Sequence, residues 1–96
     1  MLSREDRIFT IGYDGPAALV DRQAKKRYGA LSTRELAEQG LFRAAYSSAL
    51  CSGDPSEMEA VVELYNRAAG TAYTVASPLD RLFGVFPVEV KKAVHI

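Results

Sequence analysis

The chain has 96 residues, 48% of them apolar and 25% charged, with 12 basic residues against 12 acidic ones. That length points to a single domain over residues 1–96 with a modest core. The composition excludes a disordered chain, and zero net charge removes any whole-molecule field that would draw in nucleic acid or an anionic membrane.

The first element expected is a strand over residues 7–13, where Phe9, Ile11 and Tyr13 alternate with Thr10 and Gly12. Asp14, Gly15 and Pro16 break it. Two continuations compete. Pro16 suits the first turn of a helix carrying Val20, Ala24 and Tyr28 on one face, with Gly29 as a left-handed C-terminal cap. The other is a hairpin turn at Asp14 and Gly15 with residues 17–21 as the returning strand. The helix is the preferred reading.

Ser32 and Glu35 fit a capping box for the next helix, Gly40 interrupts it, and Leu41, Ala44, Ala45, Ser48 and Ala49 continue a stripe of small, inward residues. Asp54, Pro55 and Glu57 give the clearest helix start in the chain, followed by Met58, Val61, Val62, Tyr65 and Ala69 at helical spacing. Gly70 ends that helix, and Glu57, Glu59 and Glu63 fall on its wet side. Residues 71–76 read as a short strand with Tyr73 and Val75 on one side. Ser77, Pro78 and Asp80 start a brief helix that Gly84 stops, and residues 85–96 read as the last strand, with Val88, Val90, Val94 and Ile96 on one face. Pro87 lacks a donor and places that strand at a sheet edge or makes it begin there. The fold class is therefore α+β, with a helical middle over about residues 16–70 and terminal strands that pair with each other in a small sheet.

Residues 33–50 resemble a helix–turn–helix DNA reader. Thr33, Arg34, Glu35, Leu36 and Ala37 correspond to its first helix and residues 42–50 to its recognition helix. That pattern places glycine four residues after the small residue occupied here by Ala37; Gly40 stands one residue early. The resemblance implies a nucleic-acid binder in which Arg43, Ser47 and Ser48 face bases while Arg22, Lys25, Lys26 and Arg34 meet phosphates. Read as packing, the same stretch is an α-hairpin whose alanines let backbones approach, and that reading comes first.

Catalysis has the least support. His95 is the only histidine and no orienting partner is readable, Cys51 reads as a buried structural thiol, and no residues have metal-ligand spacing. Gly12 and Gly15 flank a loop that resembles phosphate-cradling turns and makes residues 12–15 a third candidate, for a small-ligand-binding protein or an enzyme with its site there. No cofactor is implied. Cys51 has no partner for an internal disulfide, no apolar run reaches the ~20 residues of a membrane span, and residues 1–7 lack the order of a secretory leader, so the cytoplasm is expected. The leading reading is a non-catalytic interaction module that forms a homo-oligomer through Phe86, Val88, Val90 and Val94. Leu41 and Phe42 form its second apolar surface.

Overall fold

Ser3 opens the described part of the chain with a capping box. Its hydroxyl accepts from the Asp6 amide, while the Asp6 carboxylate accepts from the Ser3 amide, and the short helix α1 (Arg4–Ile8) follows. The computed structural model describes residues 3–85 and 90–96. They comprise two units, one of residues 3–30 with 90–96, the other of residues 31–85.

In the first unit, β1 (Thr10–Asp14) and β2 (Ala17–Val20) form an antiparallel hairpin, and β3 (Lys92–His95) lies parallel to β2 on its far side, in the order β1-β2-β3. The fold is α+β, as expected. The helical run begins later than Pro16, however. Gly15 takes φ +58°, the left-handed conformation a tight hairpin needs, so residues 17–20 return as a strand. Both edges of β2 are then satisfied, and Ala17, Ala18 and Val20 are buried. The terminal strands β1 and β3 do not pair with each other, because β2 lies between them.

The strand expected from residue 7 starts only at Thr10. Ser3 and Asp6 cap a helix there, a signal that the alternation of Phe9, Ile11 and Tyr13 masks. The pairing register shifts between Thr10 and Gly12, leaving Ile11 at a bulge and exposed. Helix α2 (Arg22–Tyr28) is capped by Asp21, whose side chain accepts from the Ala24 amide. Its end at Gly29 is right-handed rather than the expected left-handed cap. Glycine is needed there because a Cβ would run into the Lys25 carbonyl oxygen and come within 3.3 Å of Cγ of Glu5.

The second unit contains α3 (Thr33–Glu38), α4 (Phe42–Ser52), α5 (Pro55–Ala69) and α6 (Leu79–Phe83). Helices α3, α4 and α5 pack against one another, with Leu36, Ala45 and Val61 fully buried. The Ser32 capping box, the Asp54 cap with Pro55 in the first turn, and the left-handed Gly70 all form as their sequence signals require. Residues 71–76 form no strand. Asn66 instead holds the start of that segment, donating to the Tyr73 carbonyl and accepting from the Tyr73 amide and the Thr71 hydroxyl, while the Thr74 and Ala76 amides donate to the Ser77 and Thr74 hydroxyls. The Ser77 hydroxyl accepts from the Thr74 amide, not from α6, which has no side-chain cap. Cys51 is exposed in the last turn of α4, not buried. No helix among the described residues is long and apolar enough to cross a membrane.

Candidate functional site

A cluster of three ionisable side chains lies in the first unit. Asp6, 8% exposed, sits at the back of it. Its Oδ1 accepts from Nζ of Lys25 at 2.6 Å and stands 3.0 Å from Nε2 of His95, bringing together α1, α2 and β3. Nε2 also lies 3.0 Å from Nζ of Lys25. An unprotonated Nε2 accepts from Lys25, and a protonated one donates to Asp6. Burial pushes the Asp6 carboxyl up, but hydrogen bonds from Lys25, His95 and Ser3 outweigh it and bring it down to about 2. Sequence spacing cannot reveal this trio, since His95 and Asp6 meet only through the β2–β3 pairing.

In front of the trio is an open cleft of about 510 Å³ lined by Glu5, Arg22, Lys25, Lys26, Gly29, Ala30 and His95. Arg22 donates to the His95 carbonyl at 3.2 Å. Three of the residues expected to meet phosphates, Arg22, Lys25 and Lys26, are thus brought together, while Arg34 belongs to the other unit, where it pairs with Glu38.

The residues expected to read bases are not presented together. Arg43 is exposed, but Ser47 and Ser48 are buried, and the Ser48 and Thr33 hydroxyls are 2.6 Å apart. The Thr33 hydroxyl also donates to the Glu57 carboxylate, which is half-buried rather than on a wet face. A serine locked between helices has no path to a base edge. The small-residue stripe of α4 is a packing surface, with Ala44, Ala45 and Ala49 all buried.

Of the self-association residues, Phe86 and Val88 lie outside the described residues. Val90 is half-buried, and Val94 is 39% exposed on β3. Register places Val94 beside Leu19 and Gly12, on the opposite side of the sheet from Ala18, Ala93 and Tyr13. The outer edge of β3 has no strand partner among the described residues. Leu41 and Phe42 are half-buried in the second unit. Phe42 meets the Tyr65 ring edge-on at 5.2 Å and lines a shallow groove with Ala37, Leu64 and Ala68. The loop at residues 12–15 turns the hairpin, and no basic side chain accompanies it among its own residues.

No family model, curated protein or solved structure matches this chain.

Proposed function

We propose that this protein is a non-catalytic interaction module that self-associates through the sheet of its first unit. The observation that carries the reading is the outer edge of β3, which has no strand partner among the described residues, with Val94 exposed at 39% and, one residue beyond the strand, Ile96 at 59%. An edge strand presents backbone N–H and C=O groups to a neighbour, of which the His95 carbonyl already accepts from Arg22, and exposed β-branched side chains add apolar area to any strand laid beside it. Lys92, the first residue of β3, shares a face with Val94 and Ile96 and breaks the apolar row on its N-terminal side, leaving those two as the apolar pair of that face. A second copy supplies the same surface, so a two-fold arrangement can satisfy both edges at once.

Light scattering across micromolar to millimolar concentration tests this directly. A mass of at least two chains is expected, with Val94→Lys returning the protein to one chain. A single-chain mass for the unaltered protein over the whole range overturns the reading.

A further inference from the structure

We propose that the cleft between α1, α2 and β3 binds a small organic phosphate through Arg22, Lys26 and His95. The charge balance favours an anion. The carboxylates Glu5 and Asp6 face the cations Arg4, Arg22, Lys25 and Lys26. Glu5 is already approached by Arg4 at 3.5 Å, and Asp6 by Lys25 at 2.6 Å. Neither Arg22 nor Lys26 makes an ion pair among the described residues.

The helix dipole explains Lys25, Lys26 and Arg27, which stand in the last turn of α2 where cations stabilise a helix. It does not explain Arg22. A cation at the first helical position opposes the dipole, and the first turn of α2 contains no acidic residue. Arg22 is instead tethered to the His95 carbonyl at the cleft, with most of its guanidinium donors left over. Arg22 and Lys26 are one helical turn apart and so lie on the same face. A tetrahedral phosphate has enough acceptor oxygens to meet the guanidinium fork, the Lys26 ammonium and the His95 ring together.

Behind them, Asp6 is a positioning residue that fixes Lys25 and His95. Gly29 and Ala30 add an apolar floor without side-chain bulk, which suits the organic part of a phosphate ester rather than a bare ion. At the Gly29 side the Arg4 guanidinium donates to the Gly29 carbonyl at 3.3 Å and is approached by Glu5 at 3.5 Å, so the cations of the cleft that make no ion pair among the described residues are Arg22 and Lys26, enough for a single phosphate group.

The test is amide and histidine-ring NMR titration of the whole chain at ~50 mM salt, where the electrostatic contribution is strong. The probes are inorganic phosphate, adenosine monophosphate and a ten-nucleotide oligothymidine. Adenosine monophosphate should give saturable shifts at Gly29, Ala30 and His95, with inorganic phosphate weaker at the same residues. Arg22→Gln and Lys26→Gln should each lower affinity about tenfold, the loss of one charged hydrogen bond. Lys26→Arg should retain binding, and Arg27→Gln, outside the cleft, should leave it unchanged. These exposed positions allow the variants to fold, which dispersed amide spectra will show. The proposal is overturned if neither small phosphate saturates, if binding survives both glutamine variants, or if inorganic phosphate equals the ester. It is also overturned if the oligonucleotide binds far more tightly with a steep salt dependence, which would make the surface a nucleic-acid contact.

Discussion

Nε2 of His95 lies 3.0 Å from Oδ1 of Asp6, joining residues 89 positions apart. The contact ties the strand β3 to the first helix of the same unit through a carboxylate that also holds Lys25. One buried acid therefore organises a side-chain cluster that no local pattern in the chain encodes.

Acid unfolding should expose this dependence. The Asp6 carboxyl is depressed from its ordinary 3.8 to about 2 in the folded state. Stability from that ionised form is fully present above the unfolded value and is lost as pH falls through the folded one. Urea unfolding between pH 6 and pH 2 should show wild type losing on the order of 1 kcal/mol more than Asp6→Asn across this window, a figure discounted for the partly exposed partners. Glu35 and Asp54 are also held low, by hydrogen bonds from Ser32 and Ser56 respectively, but they are common to both proteins. Equal acid limbs for the two would remove Asp6 from its structural role.

Gly29 should resist substitution despite its ordinary right-handed backbone. A methyl group there runs into the Lys25 carbonyl oxygen of the same helix, so the last turn of α2 must distort, while the Glu5 side chain, with Cγ at 3.3 Å, must give slightly. Gly29→Ala is expected to lose about 1–3 kcal/mol, as overpacked sites do, where an exposed helix end would gain from alanine. Thermal or urea denaturation decides the sign.

What the chain makes legible is its local chemistry. Asp54 with Pro55, Ser32 with Glu35, and Gly70 each satisfy helix ends using neighbours within a turn, so each reads directly. The same holds for Ser3 with Asp6, but Phe9, Ile11 and Tyr13 supply a competing period of two across the junction. Residues 17–20 are illegible for a different reason. Four apolar residues fit a helix or a central strand equally, and only β1 and β3 pairing on either side decides. Residues 71–76 look like a strand, yet Asn66 from the preceding helix takes both backbone groups of Tyr73, and the Ser77 and Thr74 hydroxyls take the Thr74 and Ala76 amides. Arg22, Lys25 and Lys26 are visible as a basic run, but His95 and the Asp6 carboxylate behind them join only through tertiary pairing.

Tyr46 should ionise above the ordinary tyrosine range. Burial raises its hydroxyl first, and the hydrogen bond to Asp80 and that carboxylate's charge raise it further. An absorbance titration of the 5 tyrosines should therefore show one lagging component. Asp80→Asn should bring that component down only part of the way, since burial remains. If the component is unmoved by Asp80→Asn, the Tyr46–Asp80 bond does not persist in solution.

The α4 stripe gives the sharpest separation between a packing hairpin and a DNA-reading helix. Ala45 is fully buried and Ala49 nearly so, where α4 packs against α3 and α5. A recognition helix needs its base-reading side chains exposed, whereas α4 buries Ser47 and Ser48 with Ala45. Between three close helices there is no room for a larger side chain, because interiors are packed as densely as organic crystals. Ala45→Leu should therefore destabilise by about 1–3 kcal/mol, whereas Arg43→Ala, on the exposed side of the same helix, should stay within about 0.5 kcal/mol of wild type. The two midpoints in urea, compared at equal slope, measure the contrast. If Ala45→Leu is as mild as Arg43→Ala, the helices around Gly40 are more loosely joined than their burial implies, and the packing account of residues 33–50 fails.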